Sequence, residues 1–170
     1  MIENNKLLLD ICNIAILAGE EILHFYNKEI EVTHKNDSSP LTKADLASNK
    51  LIINLLNSLD SDIPILSEES LVDWNTRKNW SKYWLVDPLD GTKEFIKNNG
   101  EFTVNIALIE NNNPILGVIF VPAKSTLYFA QKGYGSFSLH TSVELKSLDE
   151  AKKIAVTKQS NIVRVIGSRS

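Results

Sequence analysis

The residues best suited to chemistry lie in a short segment from Asp87 to Thr92, which reads Asp-Pro-Leu-Asp-Gly-Thr. Two carboxylates stand three positions apart, directly after an apolar run, and the proline between them ends regular sheet hydrogen bonding. We therefore expect the chain to turn there, so that the carboxylates of Asp87 and Asp90 meet beyond the end of a strand. Gly91 lets the backbone approach a ligand closely, and Thr92 begins a helical turn whose N–H groups suit a phosphate.

Oxygen ligands beside a seat for an anion indicate a Mg²⁺ site rather than a Zn²⁺ site, because Mg²⁺ prefers hard oxygen donors. A simpler interpretation is a strand followed by a tight turn, in which Asp87 and Asp90 only cap and hydrogen-bond. For an isolated pattern of this kind the simpler interpretation is favoured. The choice depends on which other residues the fold brings near.

Two further acidic positions bear on that choice. Glu68, with its neighbour Glu69, follows a second strand candidate, although adjacent glutamates are usually solvated surface residues. Asp45 stands three residues after Thr42, as in a helix capping box. It either completes that box or accepts a hydrogen bond from a catalytic hydroxyl group or water.

The elements that position these residues are predicted from the spacing of apolar side chains. An apolar residue at every third or fourth position predicts a helix from about residue 4 to residue 27, and a second helix begins after Thr42. The run from Tyr83 to Val86 predicts a buried strand that stops at Asp87. Helices followed by mostly antiparallel strands predict an α+β fold in which a helix pair packs on the sheet. The other predicted strands are 30–32, 63–66, 103–109, 115–121, 126–130, 154–156 and 162–166.

Composition narrows the class of protein. A length of 170 residues suits one domain, and a formal net charge of −3 implies no broad basic surface, so we expect no nucleic-acid partner. The sequence has no apolar run long enough to predict a transmembrane segment. Cys12 is the one cysteine, which excludes a disulfide framework and leads us to expect a cytoplasmic protein.

Three segments of the chain resemble the inositol monophosphatase superfamily in order and approximate spacing. They are residues 39–45 (Ser-Pro-Leu-Thr-Lys-Ala-Asp), 66–69 (Leu-Ser-Glu-Glu) and 84–95 (Trp-Leu-Val-Asp-Pro-Leu-Asp-Gly-Thr-Lys-Glu-Phe). The runs 90–97 and 99–108 are similar to the bisphosphate nucleotidases within it. The resemblance covers nearly the whole chain and implies the first domain of the layered α/β sugar-phosphatase-like fold.

The resemblance also implies a role for each residue of the candidate site. Glu68, Asp87 and Asp90 would bind Mg²⁺ through their side chains, and Leu89 would bind it through its backbone carbonyl. Thr92 and Asp45 would orient the attacking water and help to deprotonate it, with Glu68 as a further catalytic residue. The N–H groups of Gly91 and Thr92 would hold the phosphate.

The implied activity is that of a lithium-sensitive, Mg²⁺-dependent phosphomonoesterase. It would hydrolyse the 3'-phosphate of adenosine 3',5'-bisphosphate to AMP and phosphate, without a covalent enzyme intermediate. One alternative is a sugar phosphatase of the inositol monophosphatase type. Another is a truncated fragment that binds metal but is catalytically impaired.

A departure from the family pattern supports the last alternative. The family carries a downstream W-D-x-A-A motif whose aspartate binds metal, whereas Trp74, Trp80 and Trp84 are not followed by aspartate and no Trp-Asp pair occurs in this chain. We therefore expect residues 1–170 to form a single N-terminal domain with the C-terminal domain absent. Such a domain would be a poor catalyst, and its exposed apolar face would favour self-association.

Overall fold

Two long helices precede the sheet in the computed structural model, which describes residues 6–28, 32–34 and 40–156. Helix α1 spans Lys6–Leu23 and helix α2 spans Lys43–Leu59, so both predicted helices are confirmed, α1 with a shorter C-terminal end. The two helices contact each other, and both also contact the sheet. Their buried apolar residues form a single core cluster with the sheet in the described part of the chain.

Among the described residues the strands form one small ladder and one large sheet. β1 (Val32–His34) pairs antiparallel with β2 (Pro40–Thr42), directly before α2. The large sheet has seven strands in chain order, of which β3 and β4 pair in parallel and the other neighbours pair antiparallel. Its strands are β3 (Ile65–Ser67), β4 (Lys82–Asp90), β5 (Thr103–Glu110), β6 (Asn113–Val121), β7 (Thr126–Gln131), β8 (Gly135–His140) and β9 (Lys152–Ile154).

The short helices lie at the turns of this sheet. α3 (Trp74–Arg77) belongs to the connection from β3 to β4, α4 (Thr92–Ile96) follows β4, and a 3₁₀ turn (Pro122–Lys124) follows β6. The predicted α+β class is confirmed, as are the strands predicted at 103–109, 115–121 and 126–130. The strand predicted at 154–156 is misplaced, because the observed strand spans Lys152–Ile154 and shares only Ile154 with the prediction. The prediction at 162–166, and residues 30 and 31 of the prediction at 30–32, lie outside the described residues.

Strand β4 differs from its prediction in two ways. It continues through Pro88 to Asp90, with an irregular register against β5 between Asp87 and Asp90, so the proline is accommodated at an interruption of the ladder and does not end the strand. It is also buried on one face only, because Leu85 is 43% exposed between the buried Trp84 and Val86. A run of apolar residues suggested burial on both faces, whereas α1 and α2 cover one face.

The face of the sheet opposite α1 and α2 carries several partly exposed apolar side chains. Leu85, Ile119 and Tyr128 are 43%, 46% and 41% exposed. Self-association through this face stays a prediction. None of the helices in the described ranges is long and apolar enough to cross a membrane.

Helix α1 lies close against the sheet at Gly19. A Cβ atom at this position would lie 2.5 Å from two ring carbons of Phe120 and 3.0 Å from Pro122. Contacts that short force neighbouring atoms to move, so glycine allows the helix to lie directly on β6.

We expect Gly19→Ala to lower the free energy of unfolding by about 1–3 kcal/mol, because the added methyl group overpacks the contact with Phe120. Urea denaturation measures the change. Gly117→Ala is the matched control, since a Cβ there meets nothing within 4 Å, and it should stay within about 0.5 kcal/mol of the wild type. Equal stability of the two variants would contradict this account of the packing.

Candidate active site

Three carboxylates border one cavity beside the ends of β3 and β4. The cavity has a volume of about 1000 Å³ and is lined by Glu68, Asp87 and Asp90 together with apolar side chains of the sheet. The parallel register places Ser67 opposite Val86, and the N–H group of Glu68 donates to the Val86 carbonyl oxygen at 3.1 Å. Glu68, the first residue after β3, therefore lies level with Asp87, the residue after Val86 in β4. The topology brings these residues together as the sequence predicted.

Asp87 is the most perturbed group of the site. Burial raises its pKa, the negative charges of Glu68 and Asp90 and a hydrogen bond with Glu68 raise it further, and the Leu89 N–H group opposes them, leaving the pKa at about 7. Its Oδ1 atom is buried and has no hydrogen-bond partner among the described residues. The site thus concentrates negative charge around a buried oxygen that lacks a hydrogen-bond donor.

This donor set has the chemistry that a hard cation requires, since it offers carboxylate oxygens and one buried oxygen without a donor. Within the described residues, however, no three acidic, histidine or cysteine side chains lie close enough to hold one metal ion. That the oxygens of Glu68, Asp87 and Asp90 surround one cation-sized volume therefore stays a prediction. Like charges repel, and Asp90 Oδ2 also accepts a hydrogen bond from Asn105 Nδ2 at 3.3 Å, which turns it towards β5.

Asp45 and Thr92 are in direct contact although 47 positions separate them. Thr92 Oγ1 donates to Asp45 Oδ1 at 3.0 Å. The N–H group and Oγ1 of Thr42 donate to Asp45 Oδ2 at 2.8 and 2.5 Å, and Asp45 is only 1% exposed. Both interpretations of Asp45 are satisfied at once, because one oxygen completes the capping box and the other holds Thr92. The contact is confirmed, and the catalytic roles of the two residues stay predictions.

Gly91 forms the turn from β4 into α4. Its φ angle is +92°, and a Cβ atom there would lie 2.8 Å from the Glu101 carbonyl oxygen, so this position requires glycine. The first backbone hydrogen bond of α4 runs from Phe95 N–H to the Gly91 carbonyl at 2.9 Å. The predicted helix start at Thr92 is confirmed, whereas phosphate binding by the N–H groups of Gly91 and Thr92 stays a prediction.

Three polar residues near the carboxylates were not predicted from the sequence. Ser48 Oγ donates to the Pro88 carbonyl oxygen, Asn49 contacts two serines beside Glu68, and Asn105 contacts Asp90. Ser48 and Asn49 follow Asp45 by three and four positions, a helical spacing that could have indicated them. Asn105 lies opposite Asp87 across the β4–β5 ladder. That register has no signal in the sequence.

Comparisons with a family profile and with individual proteins point to the same family. The sequence profile of the Inositol monophosphatase family matches residues 4–168. The 3'(2'),5'-bisphosphate nucleotidase CysQ of Salmonella typhimurium is 50% identical over 129 residues, which cover 75% of this chain and 52% of that protein. The protein of the same name from Haemophilus influenzae is 40% identical over 152 residues, covering 89% and 54%.

A solved structure shows the same fold. The crystal structure of CysQ from Bacteroides thetaiotaomicron, described as a bacterial member of the inositol monophosphatase family, superimposes with a TM-score of 0.75. Its sequence identity is 39%, and the match covers 91% of this chain and 59% of that one. The chain spans about half the length of the curated relatives it matches.

The raised pKa of Asp87 predicts how stability depends on pH in the absence of divalent cations. An ordinary aspartate has a pKa of 3.8, whereas Asp87 in the folded protein has a pKa of about 7. Protonation of Asp87 therefore stabilises the folded state at low pH, and this contribution is lost as pH rises from about 4 to 7. We expect Asp87→Asn to gain stability relative to the wild type over that range, by on the order of 1–2 kcal/mol after allowance for solvent screening. Urea titrations at about pH 4.5 and about pH 7.5 measure it. A difference independent of pH would contradict the assignment.

Proposed function

This chain belongs to the inositol monophosphatase family, and from that premise we propose that it acts as a Mg²⁺-dependent phosphomonoesterase on adenosine 3',5'-bisphosphate. The observation that carries the proposal is the hydrogen bond between Thr92 and Asp45, formed beside the three carboxylates that border the cavity. The choice of substrate is supported by relatives named 3'(2'),5'-bisphosphate nucleotidase at 40–50% identity. The reaction would be hydrolysis of the 3'-phosphate, yielding AMP and phosphate.

The metal would be held by residues that border the cavity. Glu68, Asp87 and Asp90 would supply carboxylate oxygens, and Leu89 would supply its backbone carbonyl oxygen. That carbonyl lies 3.3 Å from Thr92 Oγ1 and has a second lone pair for a further partner. A bound Mg²⁺ would lower the pKa of the attacking water and neutralise charge on the phosphate.

The protein's own part in the reaction would centre on Thr92 Oγ1. Of its two acceptors, Asp45 Oδ1 is the nearer at 3.0 Å, and a proton donated there would leave the lone pairs of Oγ1 to accept a hydrogen bond from the attacking water. Asp45 cannot readily turn away, because Thr42 holds its other oxygen with two hydrogen bonds. Thr92 and Asp45 would thus orient the water and receive its proton, while the N–H groups of Gly91 and Thr92 would hold the phosphate.

We propose a cytoplasmic location on separate grounds. Cys12 is the one cysteine in the sequence and is buried in α1, where burial raises its pKa to about 12. A chain with no possible internal disulfide is typical of a reducing compartment. The expected partner is a small phosphate ester.

We expect Thr92→Ala to lower kcat for phosphate release from adenosine 3',5'-bisphosphate by about 100-fold or more, because the attacking water loses its acceptor. The matched control is Thr76→Ala. Thr76 donates to Asp73 Oδ2 at 2.5 Å at the exposed start of α3, so this variant loses the same kind of contact between two residues that do not line the cavity. It should retain wild-type kcat. Equal losses in the two variants would contradict the role of Thr92.

Removal of the metal and a change of substrate test the remaining parts of the proposal. Excess EDTA should abolish phosphate release, and added Mg²⁺ should restore it. A higher kcat/KM for inositol monophosphate than for adenosine 3',5'-bisphosphate would contradict the nucleotidase assignment and indicate a sugar phosphatase. Mg²⁺ binding without release from either substrate would identify a catalytically impaired chain.

A further inference from the structure

We propose that Ser48 and Asn49 of α2 are positioning residues that hold the two segments carrying Glu68, Asp87 and Asp90 in place for Mg²⁺ binding. The inference rests on the proposed function and concerns residues that do not themselves touch metal or substrate. Together with Asp45 they are spaced at i, i+3 and i+4, so all three lie on one face of the helix. All three are buried, with 1%, 0% and 8% exposure in chain order.

Ser48 holds the segment that carries the two aspartates. Its Oγ donates to the Pro88 carbonyl oxygen at 2.8 Å, across 40 positions of sequence. Pro88 lies between Asp87 and Asp90, where the register of β4 against β5 is interrupted. The helix therefore supplies a hydrogen bond at the point where the sheet ladder is irregular.

Asn49 holds the turn that carries the glutamates. Its Oδ1 accepts from Ser67 Oγ at 2.7 Å, and its Nδ2 donates to Ser70 Oγ at 3.0 Å. Ser67 and Ser70 enclose Glu68 and Glu69, and Ser70 N–H also donates to the Ser67 carbonyl oxygen at 3.2 Å. One amide group thus fixes both ends of the turn on which Glu68 stands.

These contacts matter because ionised carboxylates that border one cavity repel one another. The separation of the three groups must then be imposed through the backbone. If Asn49 is truncated, the Ser67 hydroxyl loses its acceptor in a position that is only 2% exposed. The turn can then relax, and Glu68 moves away from Asp87.

The experiment measures Mg²⁺ binding directly, by isothermal titration calorimetry on the whole chain, for Ser48→Ala and Asn49→Ala. We expect the Kd for Mg²⁺ to rise by about 10–100-fold in each, as is typical when groups that orient metal ligands are removed. The Mg²⁺ concentration that gives half-maximal phosphate release should rise in parallel. At saturating Mg²⁺ most of kcat should return, because Thr92 and Asp45 are unchanged.

Two control variants separate positioning from a general loss of stability. Asn13→Ala removes a partly buried pair of hydrogen bonds made by the same kind of side chain. Asn13 Nδ2 donates to the Leu145 carbonyl at 3.0 Å, and Leu145 N–H donates to Asn13 Oδ1 at 2.8 Å. Ser58→Ala removes an exposed hydroxyl of the same helix, which donates to the Asn54 carbonyl at 2.8 Å. Asn13→Ala should lose stability in urea, and both controls should bind Mg²⁺ like the wild type.

A double-mutant cycle tests whether Asn49 acts through Ser67. If it does, Asn49→Ala and Ser67→Ala combined should raise the Kd little more than either alone. Unchanged Mg²⁺ affinity in Asn49→Ala and Ser48→Ala, or an equal loss in Asn13→Ala, would overturn the inference. Mg²⁺ binding without turnover by the wild type would refute the proposed function alone, since the binding comparison would still decide the role of α2. A wild type that binds no Mg²⁺ would overturn both.

Discussion

Like-charge repulsion is the constraint that the rest of the site depends on. Glu68, Asp87 and Asp90 border one cavity, and burial together with the two neighbouring charges brings the pKa of Asp87 to about 7. Such an arrangement is unfavourable in itself, so it persists only where other interactions determine the course of the backbone. The parallel pairing of β3 with β4 sets the level of the two segments, and hydrogen bonds from α2 hold each of them there.

Helix α2 can serve as this support because one continuous stripe of it is buried. Near its N-terminus the stripe is polar and consists of Asp45, Ser48 and Asn49, and it continues towards the C-terminus with Ile52 and Leu56, both 0% exposed. The apolar half packs into the core and fixes the rotation of the helix. The polar half is thereby aimed at the segments that carry the candidate ligands, so packing and chemistry share one helical face.

The parts of the structure that depend on local spacing could be predicted from the sequence. The capping box of Thr42 and Asp45, the helix start at Thr92 and the main antiparallel strands are of this kind. The contact of Asp45 with Thr92 was expected mainly from the family resemblance, because no local pattern links residues so far apart. One-sided burial of β4 was missed, since a short apolar run does not reveal which of its faces a helix will cover.

Side-chain direction within the site could not be predicted either, because it depends on residues that the fold brings together from distant parts of the chain. The orientation of Asp90 depends on Asn105, a residue brought beside it by the β4–β5 register, and the support of Pro88 and Ser67 comes from a helix packed against them. The spacing in α2 also has an evolutionary consequence. One residue inserted between Asp45 and Ser48 would rotate the rest of the helix by about 100°, so we expect natural length variation to be excluded there.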